Sequence, residues 1–330
     1  MKIIQFIASN GKGGAENVMA SLANALSKKN DVEIKVLLFS KSPSVEYIDA
    51  SIPVQFLHFH SRFNPFLYFE LCLFFWHEKP DIIHTHSAKA TEIIHRIRHL
   101  ISAMHVATKH NARKGEIFNK IFYVTAVSKD VQKSILQHTA TVIYNGIMLK
   151  KINTIPHPQT PFHIYAIGRL DKIKAYDLLI EACSKLSFDF RLHIVGEGKE
   201  KEFLERIAHQ LNLTNKVVFE GFQSDIPSQM NKSDLVVISS HSEGFSVVMV
   251  ESLFYAPLLI STKVSGAIEI LDEIFLVTHD TLTKKIEEIY FNYVSYYEQF
   301  IRLKDRLQPK LRLEAIAQEY LDFYKRILKK

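Results

Sequence analysis

The chain has 330 residues, 47% hydrophobic and 23% charged, with a formal net charge of +6. That suits a soluble globular protein of roughly two domains. Its two cysteines, Cys72 and Cys183, lie in apolar contexts, which fits a reduced cytosolic protein and excludes a disulfide framework.

The first apolar run, KIIQFIA (2–8), is short and ends at Ser9 and Asn10, so it reads as a strand rather than a secretory leader. It meets Gly11-Lys12-Gly13-Gly14, and a helical pattern follows from about Ala15 to Lys29. Strand, glycine loop and helix could together hold a phosphate. The two common glycine motifs both fail. No Ser or Thr follows Lys12 to hold Mg²⁺, and Glu16 stands where a third dinucleotide glycine would be.

Strand patterns follow at EIKVLLF (33–39) and PVQFLHF (53–59). The stretch FNPFLYFELCLFFWHEKP (63–80) is densely aromatic, but Pro65, Glu70 and Lys79-Pro80 interrupt or end it. No segment of the chain is long enough to span a bilayer. Residues 66–76 allow two readings, a buried helix packed on a sheet or an apolar surface that touches membrane lipid. Next come the strand DIIHTH (81–86), a helical stretch to 101, the strands HVATKHN (105–111) and FYVTAVS (122–128), and the closing strand ATVIYNGI (140–147). His84 and His86 point to one face of their strand. A metal reading of that pair needs a third ligand, which no nearby pattern supplies, so a structural or acceptor-site role is expected.

NTIPHPQTPF (153–162) carries three prolines and no periodicity, and reads as a linker. A second alternating series begins after it: HIYAIGRL (163–170), a helix at 175–186, FRLHIVGEG (190–198), a helix at 200–211, KVVFEGF (216–222), DLVVISS (234–240), a helix at 246–256 and PLLISTK (257–263). The tail from about Leu282 is helical and amphipathic. Alternation of this type predicts parallel sheets with helices on both faces. The expected architecture is α/β, two doubly wound domains facing across a cleft, with chemistry in the loops after strands. The boundaries drawn are 1–155 for a first Rossmann-like domain, 156–310 for a second, and 311–330 for a helix returning towards the first.

Charge divides along the same line. Residues 1–150 hold 18 Lys+Arg against 11 Asp+Glu, and 151–330 hold 23 against 24. The basic half includes Arg96, Arg98, Lys109, Arg113, Lys114, Lys120, Lys129 and Lys133, each of which alone reads as part of a solvated face. Such a half attracts nucleic acid, an anionic membrane or an anionic substrate. No nucleic-acid module or aromatic stacking platform is evident.

Four loops stand out: GKGGAE (11–16), GRLDKIK (168–174), VGEG (195–198) and SSHSEGFSVVMVE (239–251). In the last, Gly244 permits close approach of a ligand, and the following helix offers free N–H groups. Glu243 and Glu251 are eight residues apart. On one helix their carboxylates would fall within roughly 80° of each other. Glu251 sits in the apolar run VVMVESLF, where a carboxylate needs donors that sugar hydroxyls could supply. A capping glutamate with an unrelated buried one is the plain alternative. Arg169 and Lys174, in one strand-to-helix loop, would suit a diphosphate clamp or an ordinary surface loop.

Together these motifs resemble the retaining, nucleotide-sugar-dependent glycosyltransferases of the GT-B fold, family 4, over nearly the whole chain. The most specific element is Glu243…Glu251 within S-x-x-E-G-F-S-x-V-x-x-E. Its companions are GGAE (13–16), DIIHTHS (81–87), VTAVSKD (124–130), VIYNGI (142–147), GRL…K (168–174), IVGEG (194–198) and VVFEGF (217–222). Each is weak alone, and their order and spacing carry the resemblance. It implies two Rossmann-like domains and these roles. Gly13 and Gly14 approach the donor diphosphate, and Arg169 and Lys174 neutralise it as it leaves. Glu251 holds the ribose hydroxyls. Glu243 lies near the transferred sugar, beside the amides of Gly244, Phe245 and Ser246. His110 matches the active-site histidine, and Gly221-Phe222 lies where the base packs. The chain departs from the pattern at Ala175 and Ser265, where Gly is usual, and in the context TKHN around His110.

The resulting expectation is a metal-independent, retaining hexosyltransferase without a cofactor. It would use a UDP- or GDP-sugar and a glycan or glycolipid hydroxyl, in cell-surface polysaccharide or lipopolysaccharide synthesis. It would be cytoplasmic, with peripheral contact to an anionic membrane and none to nucleic acid. Fixed cations and helix N–H groups aimed at the leaving diphosphate would lower the barrier. The rival readings are a UDP-sugar epimerase on the same scaffold, which needs no acceptor, and a non-catalytic partner subunit, which has no need of the donor set.

Overall fold

A computed structural model of the chain describes residues 1–11, 13–113, 115–136, 140–153 and 155–329. Lys12 of the glycine loop and Lys114 of the basic half lie outside the described residues. The chain forms two compact units, Met1–Met148 with Leu311–Lys330, and Leu149–Lys310. The sequence boundary at 155/156 therefore falls inside the second unit. The proline-rich stretch read as a linker is fastened to that unit by the buried Asp234. The Asp234 carboxylate accepts from His157 Nδ1 at 2.8 Å and from the amides of Gln159 at 2.9 Å and His163 at 2.7 Å.

The first unit is built from β1 (Lys2–Ile7), α1 (Gly14–Leu26), β2 (Glu33–Phe39), β3 (Val54–Leu57), α2 (Pro65–Glu78), β4 (Ile82–His86), α3 (Ser87–Arg96), β5 (Met104–Lys109), β6 (Tyr123–Ala126), α4 (Lys129–Lys133) and β7 (Thr141–Val142). Among the described residues its parallel strands run in the order β3-β2-β1-β4-β5-β6-β7. The closing strand is much shorter than the 140–147 pattern predicts.

In the second unit the elements are β8 (Phe162–Ile167), α5 (Tyr176–Cys183), β9 (Phe190–Val195), α6 (Lys201–Gln210), β10 (Val217–Gly221), α7 (Ile226–Asn231), β11 (Leu235–Ile238), α8 (Val247–Tyr255), β12 (Leu259–Thr262), α9 (Ser265–Ile270), β13 (Leu276–Val277), α10 (Leu282–Phe291) and α11 (Tyr293–Leu311). Among the described residues its parallel strands run β10-β9-β8-β11-β12-β13. In both sheets the strand order reverses direction about the first strand, which makes each unit doubly wound.

α12 (Leu313–Leu328) belongs to the first unit. Its face of Ile316, Ala317, Tyr320, Leu321, Tyr324 and Ile327 packs with Met19, Leu22, Ala23 and Leu26 of α1. Gly146 admits the start of this helix, since a Cβ there would stand 2.6 Å from Ile316 Cγ1. Alternation along β1 sorts the two faces of the sheet. Ile3 and Ile7 face α1 and α12, while Ile4, Phe6 and Ala8 face α2 and α3.

The 66–76 segment forms the helix of its first reading, packed on the sheet. α2 buries Leu67, Leu71 and Phe75 against the sheet. Its other side leaves Phe66, Phe69, Leu73 and Trp76 between 52% and 76% exposed. Among the described residues no helix is long and apolar enough to cross a membrane.

Candidate active site

The second unit gathers most of the predicted residues at the carboxyl ends of β8, β9 and β11. Three glycines make this possible. Gly168, at the end of β8, has φ +145°, and a Cβ there would lie 3.0 Å from both Lys174 Cε and Tyr176 Oη. Gly196 and Gly198, after β9, pass so close to the backbone of Gly168 and Leu170 that any side chain would collide with it. The β8 and β9 loops are thus stitched together, with Gly168 N–H donating to Val195 O and Leu170 N–H to Glu197 O, both at 2.9 Å.

Within this frame Lys174 Nζ donates to Glu243 Oε1 at 2.7 Å, and Ser240 Oγ donates to the same oxygen at 2.7 Å. The backbone holds the pair in place, because Ser239 Oγ donates to Lys174 O and His241 N–H to Ile173 O. Both partners are mostly buried, at 19% and 16% side-chain exposure, so the lysine is an oriented cation rather than a mobile surface one. Arg169 is 74% exposed, and its Nε donates to Asp171 at 2.8 Å. Asp171 in turn caps the Lys172–Lys174 turn through the Ile173 amide. The Arg169 Nη atoms make no hydrogen bond among the described residues, which leaves their donors open to an anion.

Tyr176 is the residue that sequence reasoning missed. Among the described residues its hydroxyl is buried without a hydrogen-bond partner, and it lies close to Gly168, as does Lys174 Nζ. A donor without a partner thus sits beside a fixed cation. The only sequence signal was its position, two residues after Lys174. Ala175 between them adopts left-handed φ +50°, which accounts for the glycine usual there in the resembled family.

The single-helix geometry drawn for the two glutamates does not hold. α8 begins at Val247, after Ser246, whose Oγ accepts from Met249 N–H at 3.3 Å. Glu243 lies in the loop before it, so helical spacing does not relate the two carboxylates. Gly244, Phe245 and Ser246 are buried, and Gly266 lets this loop pack, since a Cβ there would meet Phe245 at 2.8 Å. Glu251 lies on α8 beside the fully buried Val250 and Ser252. Among the described residues nothing donates a hydrogen bond to its carboxyl. Its apolar surroundings push its pKa up from 4.5 to about 7. Gly221 has φ +67° and accepts from Gly196 N–H, and Phe222 beyond it is 57% exposed, free to stack on a flat ligand.

In the first unit, Gly13 precedes α1 and its amide donates to Glu16 Oε2 at 3.1 Å, so the carboxylate of GGAE folds back over the loop. Gly14 opens the helix. His110 follows β5 and is partly exposed. Its Nε2 lies 3.2 Å from His86 Nδ1, and burial lowers its pKa to about 4. All four ring nitrogens of His84 and His86 are engaged by Tyr324, Thr108, His110 and Gln5, which is the structural role expected of the pair. Lys109 is buried, its ammonium donating to Ser134 O and Oγ, and it lines an open hollow with Arg113 and Glu116.

Comparison with known proteins decides the family. The family described as Glycosyl transferases group 1 matches residues 149–302, and Glycosyltransferase Family 4 matches residues 12–151. The chain belongs to the group 1 glycosyltransferases of the GT-B fold. This glycosyltransferase is 28% identical over 304 residues to the N-acetylgalactosamine-N,N'-diacetylbacillosaminyl-diphospho-undecaprenol 4-alpha-N-acetylgalactosaminyltransferase of Campylobacter jejuni, covering 81% of this chain and 82% of that protein. It is 25% identical to the lipopolysaccharide 1,6-galactosyltransferase of Escherichia coli over 43% of this chain and 42% of that one. Among solved structures, Anabaena HepE in complex with UDP-glucose superposes with a TM-score of 0.84 at 21% identity, over 98% of this chain and 99% of that one. Sucrose-phosphate synthase from Thermosynechococcus elongatus gives 0.85 at 16%, over 100% and 99%. Both show the fold.

Proposed function

We propose that this glycosyltransferase is a retaining enzyme that moves a hexose or related sugar from a UDP- or GDP-linked donor to a hydroxyl of a glycan or glycolipid. The observation that carries the donor assignment is the second unit's unsatisfied polar set. Glu251 presents a carboxyl without a donor, which two ribose hydroxyls would satisfy. Lys174 and the partnerless Tyr176 hydroxyl lie together beside Gly168, and Arg169 stands in the same loop.

The chemistry follows from charge. As the sugar leaves, negative charge gathers on the diphosphate. Lys174 and Arg169 meet it, with the amides of Gly244, Phe245 and Ser246 as further donors. Glu243 positions the lysine and lies where the transferred sugar would sit. Gly13 and Gly14 serve the donor diphosphate, Gly221 and Phe222 the base, and His110 a hydroxyl near the reacting centre. The scheme calls on no metal and no cofactor besides the donor itself.

The relatives named for lipid-linked and lipopolysaccharide acceptors support an acceptor in cell-surface polysaccharide synthesis. The exposed face of α2 supports a peripheral seat on the cytoplasmic side of an anionic membrane. Arg62 and Arg96, which share Glu92 as their ion-pair partner, lie 5.1 and 5.5 Å from the exposed Phe63 ring and leave one net positive charge near that apolar face. Sedimentation with anionic and neutral vesicles tests this, and equal partition with both would refute it.

Transfer is tested by incubating the protein with UDP- and GDP-sugars and a panel of lipid-linked acceptors. The anomeric configuration of the product is then read by NMR. A product that keeps the donor's configuration supports the proposal, and an inverted one contradicts it. Conversion of the donor without acceptor would instead mark an epimerase.

A further inference from the structure

Alternation along four adjacent strands places Gln5, His84, His86, Thr108 and Thr125 on the α12 side of the first sheet, and all five are fully buried. They form one continuous chain of hydrogen bonds with Tyr324 and His110. His110 Nε2 lies 3.2 Å from His86 Nδ1, and His86 Nε2 lies 2.8 Å from Gln5 Oε1. Gln5 Nε2 donates to Tyr324 Oη at 3.4 Å, and Tyr324 Oη lies 2.6 Å from His84 Nδ1. His84 Nε2 lies 2.6 Å from Thr108 Oγ1, which lies 2.6 Å from Thr125 Oγ1.

Such a chain has a direction, and Gln5 sets it. An amide oxygen only accepts and an amide nitrogen only donates. Gln5 Oε1 faces His86, so His86 Nε2 must carry its proton. A neutral imidazole then has a bare Nδ1, which accepts from His110 Nε2–H. His110, neutral as well, is left with an unprotonated Nδ1. That atom meets no hydrogen-bond partner among the described residues, and the ring is partly exposed. Turning the amide over would reverse every donor in the chain and give His110 an outward N–H instead. Burial disfavours the charged form of both His84 and His86, which keeps the chain from being broken by protonation.

We infer that Gln5 and His86 are positioning residues that fix the tautomer of His110, so that His110 presents a hydrogen-bond acceptor to a ligand hydroxyl. The hydroxyl belongs to the sugar or the acceptor, and this part rests on the role proposed above for His110. The tautomer itself does not.

The test separates the two. Wild-type protein labelled with ¹⁵N-histidine is compared with His110→Gln to locate the His110 signals, and couplings to the ring protons report which nitrogen is protonated. The expected result is a proton on Nε2 and a bare Nδ1. A proton on Nδ1 overturns the inference. Gln5→Met keeps the volume and removes both hydrogen bonds. It should mix the His110 tautomers and lower kcat/KM on the order of ten- to a hundred-fold, the scale of one mispaired polar contact. An unchanged tautomer in Gln5→Met also overturns the inference. Tyr324→Phe, which releases the amide nitrogen and His84 Nδ1 but leaves the Gln5 Oε1–His86 contact, gives a second route if Gln5→Met fails to fold, and should likewise mix the tautomers. Should the tautomer shift while neither Gln5→Met nor His110→Ala affects transfer, the tautomer inference stands and the proposed role of His110 falls.

Discussion

Replacing Glu251 by Gln should stabilise the ligand-free protein at neutral and alkaline pH while destroying donor binding. The Glu251 carboxyl has no donor among the described residues, and its pKa is raised from 4.5 to about 7 by its apolar surroundings. A raised acid pKa means the folded state keeps a proton that the unfolded state releases. Below about pH 4.5 both states hold it and no pH-dependent cost arises. Between 4.5 and 7 wild-type stability falls as pH rises, and above 7 the loss is complete. At 1.36 kcal/mol per pH unit the gap amounts to about 3 kcal/mol, an upper value because partial exposure lets water reach the group. Gln does not titrate and is free of this loss. The advantage of Glu251→Gln in thermal midpoint should therefore grow from pH 5 to pH 8 and level off above. Thermal unfolding followed at several pH values reads this directly, on top of any constant offset from the amide. Parallel pH profiles for the two proteins would refute the reasoning, since they would mean the carboxyl is already satisfied.

Three further substitutions probe the cluster of Gly168, Lys174 and Tyr176. Gly168→Ala forces a side chain into φ +145° and within 3.0 Å of Lys174 Cε and Tyr176 Oη. Stability should drop by about 1–3 kcal/mol and transfer should be lost, as thermal melts and a donor-turnover assay would show. Tyr176→Phe removes the buried, partnerless hydroxyl. It should raise the thermal midpoint while weakening nucleoside diphosphate affinity; a lowered midpoint would show that the hydroxyl is satisfied. Lys174→Met leaves Glu243 with Ser240 alone on Oε1. Its kcat should fall about 10²–10³-fold in steady-state assays.

The architecture was legible because it rests on local patterns. Apolar runs alternating with amphipathic helices, and loops after strands rich in Gly and charge, place both sheets and the Gly168–Lys174 and Glu243–Glu251 loops. What depends on distant partners was not legible. Glu243 and Glu251 read as neighbours on one helix, but the Ser246 cap delays α8 until Val247. The paired faces of His84 and His86 follow from strand alternation, whereas their partners Gln5 and Tyr324 are 81 and 240 residues away in sequence. α2 gives no clean period because both of its sides are apolar, one against the sheet and one against solvent. Tyr176 gave no signal beyond its place two residues after Lys174, and only the missing Cβ of Gly168 shows what its hydroxyl faces.

We expect the second unit to bind a nucleoside diphosphate through Glu251. Calorimetric titration of the wild type and of Glu251→Ala with UDP, GDP, ATP and NAD tests it most directly. Saturable binding of UDP or GDP that is weakened by the substitution is the predicted result, and it names the base. Binding of ATP or NAD alone, or UDP and GDP binding unchanged in Glu251→Ala, would contradict the account.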